Sequence, residues 1–135
     1  MFKIYNINSL LIKIFEALLY ICAPFSNKIE KGIIGRKNSF KKLNLCFKKG
    51  DRIIHIHCAS HGEYLLAKKL IHNLKEKFKN HRFLLSFISP SGYENVKSDL
   101  FDCIIYLPLA TNKNCIKFYN IIKPTATFFI KNEVW

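Results

Sequence analysis

The chain has 135 residues and a net charge of +13, and half of its residues are hydrophobic. This apolar content excludes a disordered basic tail and is sufficient for the core of one domain. Nineteen of the 22 basic residues are Lys, in a composition rich in Ile, Asn, Phe and Tyr that AT-rich codons favour. Because a nucleic-acid-binding module needs Arg or aromatic side chains on one face, we expect no nucleic-acid partner.

Residues 4–25 form an apolar segment with a single polar stripe, made by Asn6, Ser9, Lys13 and Glu16 at helical spacing. We predict an N-terminal helix within residues 1–27. No small-residue cleavage signal precedes Pro24, so a cleaved signal peptide is not expected. The stripe is compatible with a membrane-interface helix, a tilted spanning helix or a core helix of a soluble domain. We favour membrane contact because a basic stretch follows directly.

Residues 28–50 are rich in basic residues and contain Gly32, Gly35 and Gly50. This composition favours a connector that lies near anionic lipid head groups. A simply solvated run of charges is the alternative. The sequence therefore predicts an anionic membrane surface as a partner and the cytoplasmic face of the inner membrane as the location.

From Asp51 onward, apolar runs alternate with amphipathic segments. The predicted strands and helices are strand 52–58, helix 64–78, strand 83–88, a short helix ending near Leu100, strand 103–107, helix 112–122 and strand 125–130. This alternation predicts an α/β fold with a Rossmann-like parallel sheet over residues 51–135. Ligands of such sheets bind at the carboxyl ends of the strands, where the turns 60–63, 89–92 and 132–135 are expected to lie.

The motifs for common cofactors and metals are missing from these turns. Neither a G-x-G-x-x-G nor a G-x-x-x-x-G-K-[ST] loop follows a strand, so we predict no cofactor. The five cysteines are scattered without a C-x-x-C pair, which favours a reducing compartment and buried thiols. Strand alternation places His55 and His57 on one face and Cys58 on the other, so we predict no metal site.

Glu63 has two possible roles. Ser60 and Glu63 have the spacing of a capping box, in which Ser60 accepts from a first-turn N–H and Glu63 accepts from the N-cap N–H. A carboxylate at a strand end can also act as a general base. From the residues alone, the cap is the favoured interpretation.

Five motifs, taken together, resemble a known family. They are His57-Cys58-Ala59-Ser60-His61-Gly62-Glu63, Ser89-Pro90-Ser91-Gly92-Tyr93-Glu94, Tyr106-Leu107-Pro108-Leu109, Lys123-Pro124 and Asn132-Glu133-Val134-Trp135. In order and spacing they resemble the N-terminal half of the 3-deoxy-D-manno-octulosonic acid (Kdo) transferases of lipopolysaccharide synthesis. The apolar N-terminal segment and Gly35-Arg36-Lys37 are similar to the membrane-proximal part of that family.

The resemblance implies half of a two-domain glycosyltransferase of the B-type fold. It implies transfer of Kdo from CMP-Kdo to a lipid A precursor, held by the N-terminal domain. By resemblance, Glu63 is the catalytic base and Glu133 a second essential carboxylate. Ser60, Gly62, Ser89, Ser91 and Gly92 are implied to lie at the substrate.

The sequence departs from the family pattern at three places. His61 stands where an apolar residue is usual, and Lys131 stands where many members have an acidic residue. The sequence ends at Trp135 without the sugar-nucleotide domain, so we expect it to act as an N-terminal fragment. A non-catalytic, membrane-associated Rossmann-like interaction domain is the alternative function.

Overall fold

The computed structural model describes residues 20–131 together with residues 11, 14, 17 and 18. A short 3₁₀ turn at Ala23–Phe25 precedes four helices and four strands. The helices are α1 (Asn27–Cys46), α2 (His61–Lys77), α3 (Pro90–Asn95) and α4 (Asn112–Ile122), and the strands are β1 (Ile53–Cys58), β2 (Arg82–Phe87), β3 (Cys103–Tyr106) and β4 (Ala126–Ile130). Strands and helices alternate from β1 to β4, as the sequence predicts.

The four strands form one parallel sheet in the order β3-β2-β1-β4. Ile54 of β1 pairs with Phe83 of β2 on one side and with Ala126 of β4 on the other. All four carboxyl ends therefore lie along one edge of the sheet. This arrangement confirms the predicted Rossmann-like parallel sheet.

Helices cover both faces of the sheet, which explains the almost continuous apolar strands. On one face, β1 and β2 pack against α2, whose buried residues Tyr64, Ala67, Ile71 and Leu74 have helical spacing. On the other face, Ile53 and Leu84 pack with residues of α1 and α4. Each fully buried Ile or Leu side chain contributes about 1.5–3 kcal/mol, so the core holds both helical layers on the sheet.

Helix α1 occupies most of the stretch that composition suggests is a connector. It runs for 20 residues and buries Ser39 and Leu43, followed by Phe47 just beyond its end. These four-residue intervals form a narrow core-facing stripe that the surrounding lysines and glycines obscure in the sequence. Gly35 permits the close approach of α1 to β3, because a Cβ there would overlap the ring of Tyr106.

The predicted N-terminal helix lies largely outside the described residues and stays a prediction. Four of its described residues, Leu11, Ile14, Leu18 and Ile21, are helical and expose their apolar side chains. Among the residues that the structure describes, no helix has the length and apolar character needed to cross a membrane.

Candidate functional site at the carboxyl edge of the sheet

The turns after β1 and β2 lie side by side at the carboxyl edge of the sheet. The Ser89 N–H donates to the Ala59 carbonyl over 2.9 Å, which links the two turns directly. The predicted juxtaposition of Ser60–Glu63 and Ser89–Gly92 is thus present in the fold. Glu133, the other carboxylate expected at this edge, lies outside the described residues.

Glu63 stands in the first turn of α2 and binds the backbone that precedes the helix. One carboxylate oxygen, Oε2, accepts a hydrogen bond from the Ala59 N–H. The Ser60 hydroxyl oxygen accepts from the Glu63 N–H over a long 3.5 Å. The Ser60 cap expected from the sequence is present, and Glu63 also serves the start of the helix.

The partner of the Glu63 carboxylate differs from the expected one. A capping box pairs this side chain with the N-cap N–H, here that of Ser60, but the acceptor reaches Ala59, one residue earlier. Because β1 ends at Cys58, the Ala59 N–H has left the strand ladder and needs another acceptor. The half-buried carboxylate supplies it.

This bond leaves part of the carboxylate's accepting capacity unused. An ionised carboxylate has two oxygens and about four lone-pair positions, of which the Ala59 N–H occupies one. A fixed orientation is also useful for a base, which must lie within hydrogen-bond reach of the proton that it accepts. The capping and proton-accepting roles are therefore compatible in one residue.

Local contacts account for the conformation of the turn after β2. The Ser89 hydroxyl caps α3 by accepting from the Ser91 N–H over 3.3 Å, and the two hydroxyl oxygens lie 2.9 Å apart. Pro90 occupies the first helical position, where its missing N–H costs nothing. Gly92 is buried directly against the ring of Phe87. A Cβ at this position would overlap that ring.

Two buried histidines on β1 share one hydroxyl group on β2. His55 Nε2 lies 2.8 Å and His57 Nδ1 lies 2.9 Å from the Ser86 hydroxyl oxygen. Since a hydroxyl carries one proton, Ser86 donates to one imidazole and accepts from the other. Burial, reinforced by His57, lowers the pKa of His55 to about 3, and burial also lowers the pKa of His57. Both side chains are thus neutral at pH 7.

The Cys58 thiol is not suited to act as a nucleophile. Burial, together with the charge of Glu63, raises the pKa of the Cys58 thiol to about 12. A protonated thiol neither attacks nor binds metal readily. The prediction of buried thiols is confirmed for Cys58 and Cys103, but Cys46 is half-buried and Cys22 and Cys115 are exposed. Within the described residues, no group of three His, Cys, Asp or Glu side chains could hold a metal ion.

A cavity of about 170 Å³ lies beside this edge and was not expected from the sequence. It joins one face of α1 to the loop that follows β3. The lining residues are Tyr20, Ile33, Arg36, Lys37, Phe40, Pro108, Leu109 and Asn114. The only sequence signal was the Gly35-Arg36-Lys37 motif, which indicates charge but not this enclosure.

These features define a Rossmann-like domain with a candidate carboxylate at a strand end. Residues 33–135 match the family model described as 3-deoxy-D-manno-octulosonic-acid transferase (Kdo transferase), N-terminal part. The chain belongs to this family, which confirms the resemblance seen in the motifs.

Curated relatives from several bacteria support this assignment. A 3-deoxy-D-manno-octulosonic acid transferase of Aquifex aeolicus is 35% identical over 73% of this chain and 27% of its own length. The corresponding transferase of Haemophilus influenzae is 30% identical over 61% of this chain and 20% of its own length. A bifunctional glycosyltransferase/methyltransferase of Fusobacterium nucleatum is 27% identical over 87% of this chain and 18% of its own length. The chain thus spans about a quarter or less of these relatives.

Proposed function

We propose that the chain is the acceptor-binding part of a Kdo transferase of lipopolysaccharide biosynthesis. In this proposal, Kdo passes from CMP-Kdo to a lipid A precursor, and Glu63 is the general base. The observation that carries the proposal is the family match over residues 33–135, which includes the strand-end turn that holds Glu63.

The transfer requires a group that takes the proton from the attacking sugar hydroxyl of the lipid substrate. The acceptor hydroxyl oxygen attacks the anomeric carbon of Kdo, the bond from that carbon to the CMP phosphate oxygen breaks with inversion, and CMP leaves. The hydroxyl oxygen loses its proton to a carboxylate within about 3 Å. We assign this step to Glu63, held by the Ala59 N–H, and a second essential role to Glu133. Ser60 and Gly62 beside the base, and Ser89, Ser91 and Gly92 in the next turn, form the proposed acceptor side of the cleft.

The donor half of the reaction belongs to a second domain in this proposal. CMP-Kdo binds a C-terminal sugar-nucleotide domain, and closure of the two domains excludes water and aligns donor with acceptor. The matched region makes up only 18–27% of these relatives, so the remainder has the length for such a domain.

We place the protein at the cytoplasmic face of the inner membrane, on an anionic lipid surface. The exposed apolar side chains of Leu11, Ile14, Leu18, Ile21 and Phe25 support this location. The basic residues of α1 supply attraction to anionic lipid, worth about 1 kcal/mol for each Lys or Arg near the surface.

The alternative function is a membrane-associated interaction domain without catalysis. The capping bond between Glu63 and Ala59 favours it, because that bond gives Glu63 a structural use independent of any substrate. The two functions differ in whether an enzyme completed with this chain transfers Kdo.

Transfer by a completed enzyme tests the proposal. The chain is fused to the remaining part of the Aquifex aeolicus transferase, and transfer of Kdo from CMP-Kdo to a lipid A precursor is measured. Glu63→Gln should lower the rate by about 100-fold to 10,000-fold, the usual effect of losing a general base. Glu76→Gln removes an exposed carboxylate from the last turn of the same helix and should leave the rate unchanged. Equal rates for the fusion and its Glu63→Gln variant would mean that Glu63 is only a helix cap, with Glu133 the next candidate base. A fusion that transfers no Kdo would favour the interaction domain.

A further inference from the structure

The half-open cavity beside the carboxyl edge combines basic and apolar groups in its lining. Ile33, Arg36, Lys37 and Phe40 line it from α1 at spacings of three, one and three residues, which places them on one helical face. Pro108 and Leu109 close it from the loop after β3, and Asn114 closes it from α4. Tyr20 completes the wall beside Lys37, whose ammonium group lies 5.2 Å from the ring centre.

Arg36 is held in place by the protein and has spare donors. Its Nη2 donates to the Ile88 carbonyl over 2.8 Å, and its guanidinium carbon lies 5.7 Å from the ring centre of Tyr106. These contacts fix the orientation of the side chain but use only one of the five N–H donors of a guanidinium. Arg36 is therefore a preorganised donor at the wall of the cavity.

No carboxylate of the described residues forms an ion pair with Arg36. Across the part of the chain that the structure describes, the ion pairs join Lys31 to Glu94 and Arg82 to Asp51 and Asp102, and none includes Arg36 or Lys37. Burial lowers the pKa of Arg36, so the fold holds this charge partly out of water. A half-buried guanidinium without an internal counter-ion is suited to an external anion.

The cavity is connected to Glu63 through the backbone of the two strand-end turns. Arg36 binds the carbonyl of Ile88, the neighbouring Ser89 N–H binds the carbonyl of Ala59, and the Ala59 N–H binds Glu63. The cationic wall and the carboxylate thus lie on the same edge, at opposite ends of one short chain of hydrogen bonds.

We propose that this cavity binds the phosphate group of a phosphorylated amphiphile, with Arg36 and Lys37 contacting the phosphate oxygens. The side chains of Ile33, Phe40 and Leu109 contact the first carbon atoms attached to that phosphate. Pockets that enclose a whole ligand measure about 300–1,000 Å³, so this cavity of about 170 Å³ holds one group of a larger molecule. The inference rests on the proposed function, because it assigns the cavity to a phosphate of the lipid acceptor.

Direct binding to the full 135-residue chain tests this inference without any reaction. The probe is dodecyl phosphate below its micelle concentration, and the dissociation constant is measured by calorimetry. Inorganic phosphate supplies the charge alone, and dodecyl maltoside supplies the chain alone. We expect dodecyl phosphate to bind at least tenfold more tightly than either comparison compound, because only it uses both parts of the cavity.

Matched variants assign the binding to the cavity. Lys37→Gln should weaken dodecyl phosphate binding about tenfold, the effect of one lost charge-assisted hydrogen bond. Lys41→Gln removes an exposed charge one turn along α1, outside the cavity lining, and should leave the dissociation constant within twofold. Arg36→Gln should weaken binding at least as much as Lys37→Gln. Because Arg36 also binds Ile88, Lys37→Gln is the deciding variant if Arg36→Gln fails to fold.

Three results would overturn the inference. The first is equal weakening by Lys37→Gln and Lys41→Gln, which would indicate general surface charge. The second is equal binding of inorganic phosphate, and the third is equal binding of dodecyl maltoside. If the completed enzyme transfers no Kdo but the chain still binds dodecyl phosphate selectively, the proposed function is rejected and the phosphate site is kept. If the completed enzyme transfers Kdo but the chain does not bind dodecyl phosphate selectively, only the phosphate site is rejected.

Discussion

The Ala59 N–H donates to the Glu63 carboxylate at the junction of β1 and α2. This bond ties the candidate base to the backbone of the strand end. It fixes the carboxylate where a ligand at the carboxyl edge can reach it, while also satisfying an amide that the sheet leaves unpaired. Stability and activity measurements are therefore both needed to interpret substitutions at this junction.

Glu63→Gln should change the free energy of unfolding by no more than about 1 kcal/mol, because the amide oxygen can still accept from Ala59. Urea unfolding of the 135-residue chain measures this change. A loss of several kcal/mol would mean that the negative charge itself holds the turn, and reduced transfer in this variant could then reflect misfolding.

Ser60→Ala should lower the free energy of unfolding by about 0.5–1 kcal/mol, at the low end for an N-cap, because the Ser60–Glu63 bond is long at 3.5 Å. Transfer by the completed enzyme should fall by no more than a few-fold, because Ser60 lies on the proposed acceptor side of the cleft but does not accept the proton. Ser98→Ala offers a comparison, since the Ser98 hydroxyl accepts from the Leu100 N–H in a loop away from this junction. If Ser60→Ala abolishes transfer at unchanged stability, Ser60 contacts the substrate.

The buried histidines predict a loss of stability in mild acid. The pKa of His55 is about 3 in the folded chain and 6.5 in the unfolded chain. Above pH 6.5 the group is neutral in both states, whereas between pH 6.5 and 3 only the unfolded chain binds the proton. Lowering the pH from 7.5 to 5 should therefore cost about 2 kcal/mol from His55, with a loss of the same sign from His57.

Urea unfolding at both pH values measures this loss. His55→Gln should reduce the difference between the two pH values, whatever its effect on absolute stability. His72→Gln replaces an exposed histidine of α2 and should retain the difference. An unchanged difference in His55→Gln would show that another group carries the pH dependence.

Gly92→Ala should destabilise the fold by about 1–3 kcal/mol, because the added methyl group overlaps the buried ring of Phe87. Gly62→Ala is the matched change, since the atom nearest to its added Cβ, the Ser60 hydroxyl oxygen, lies 3.9 Å away. Thermal unfolding should show a lower Tm for Gly92→Ala only. If Gly62→Ala folds normally but stops transfer, close approach of a ligand at Gly62 is indicated.

Membrane association should depend on the apolar surface before α1. Ile21→Ser combined with Phe25→Ser should reduce flotation with anionic phospholipid vesicles, because both side chains are exposed there, Ile21 by 67% and Phe25 by 88%. Leu66→Ser is the control, since Leu66 of α2 is also 67% exposed. Equal flotation of both variants and the unsubstituted chain would contradict the predicted anchor.

The sequence predicts elements best where local signals agree. The bounds of α4 match the prediction, because Thr111 caps its start and Lys123 adopts a left-handed conformation before Pro124 at its end. The largest difference between the predicted and the observed elements is helix α1. Its core-facing stripe has few apolar residues and includes Ser39. Ser39 is buried because its hydroxyl donates to the Tyr106 carbonyl over 2.7 Å, a tertiary contact that no local pattern reveals.

Local sequence signals likewise predict some parts of the candidate site and not others. The position of Glu63 at the carboxyl edge follows from the alternation of strands and helices, which fixes a parallel sheet. Its bond to Ala59 depends on where β1 ends, and strand ends are less certain in sequence than strand centres. The Arg36 cavity joins α1 to residues after β3, so it arises only from packing between distant segments.

The sheet order also has a consequence for handling the protein. In residues 20–131, β4 pairs only with β1, and its Phe129 side chain is 66% exposed. An unpaired strand edge beside exposed aromatic surface is a template for strands of other molecules. At high concentration, the isolated chain is therefore prone to join edge to edge with further copies, and the conditions that limit such self-association will set how long samples stay monodisperse.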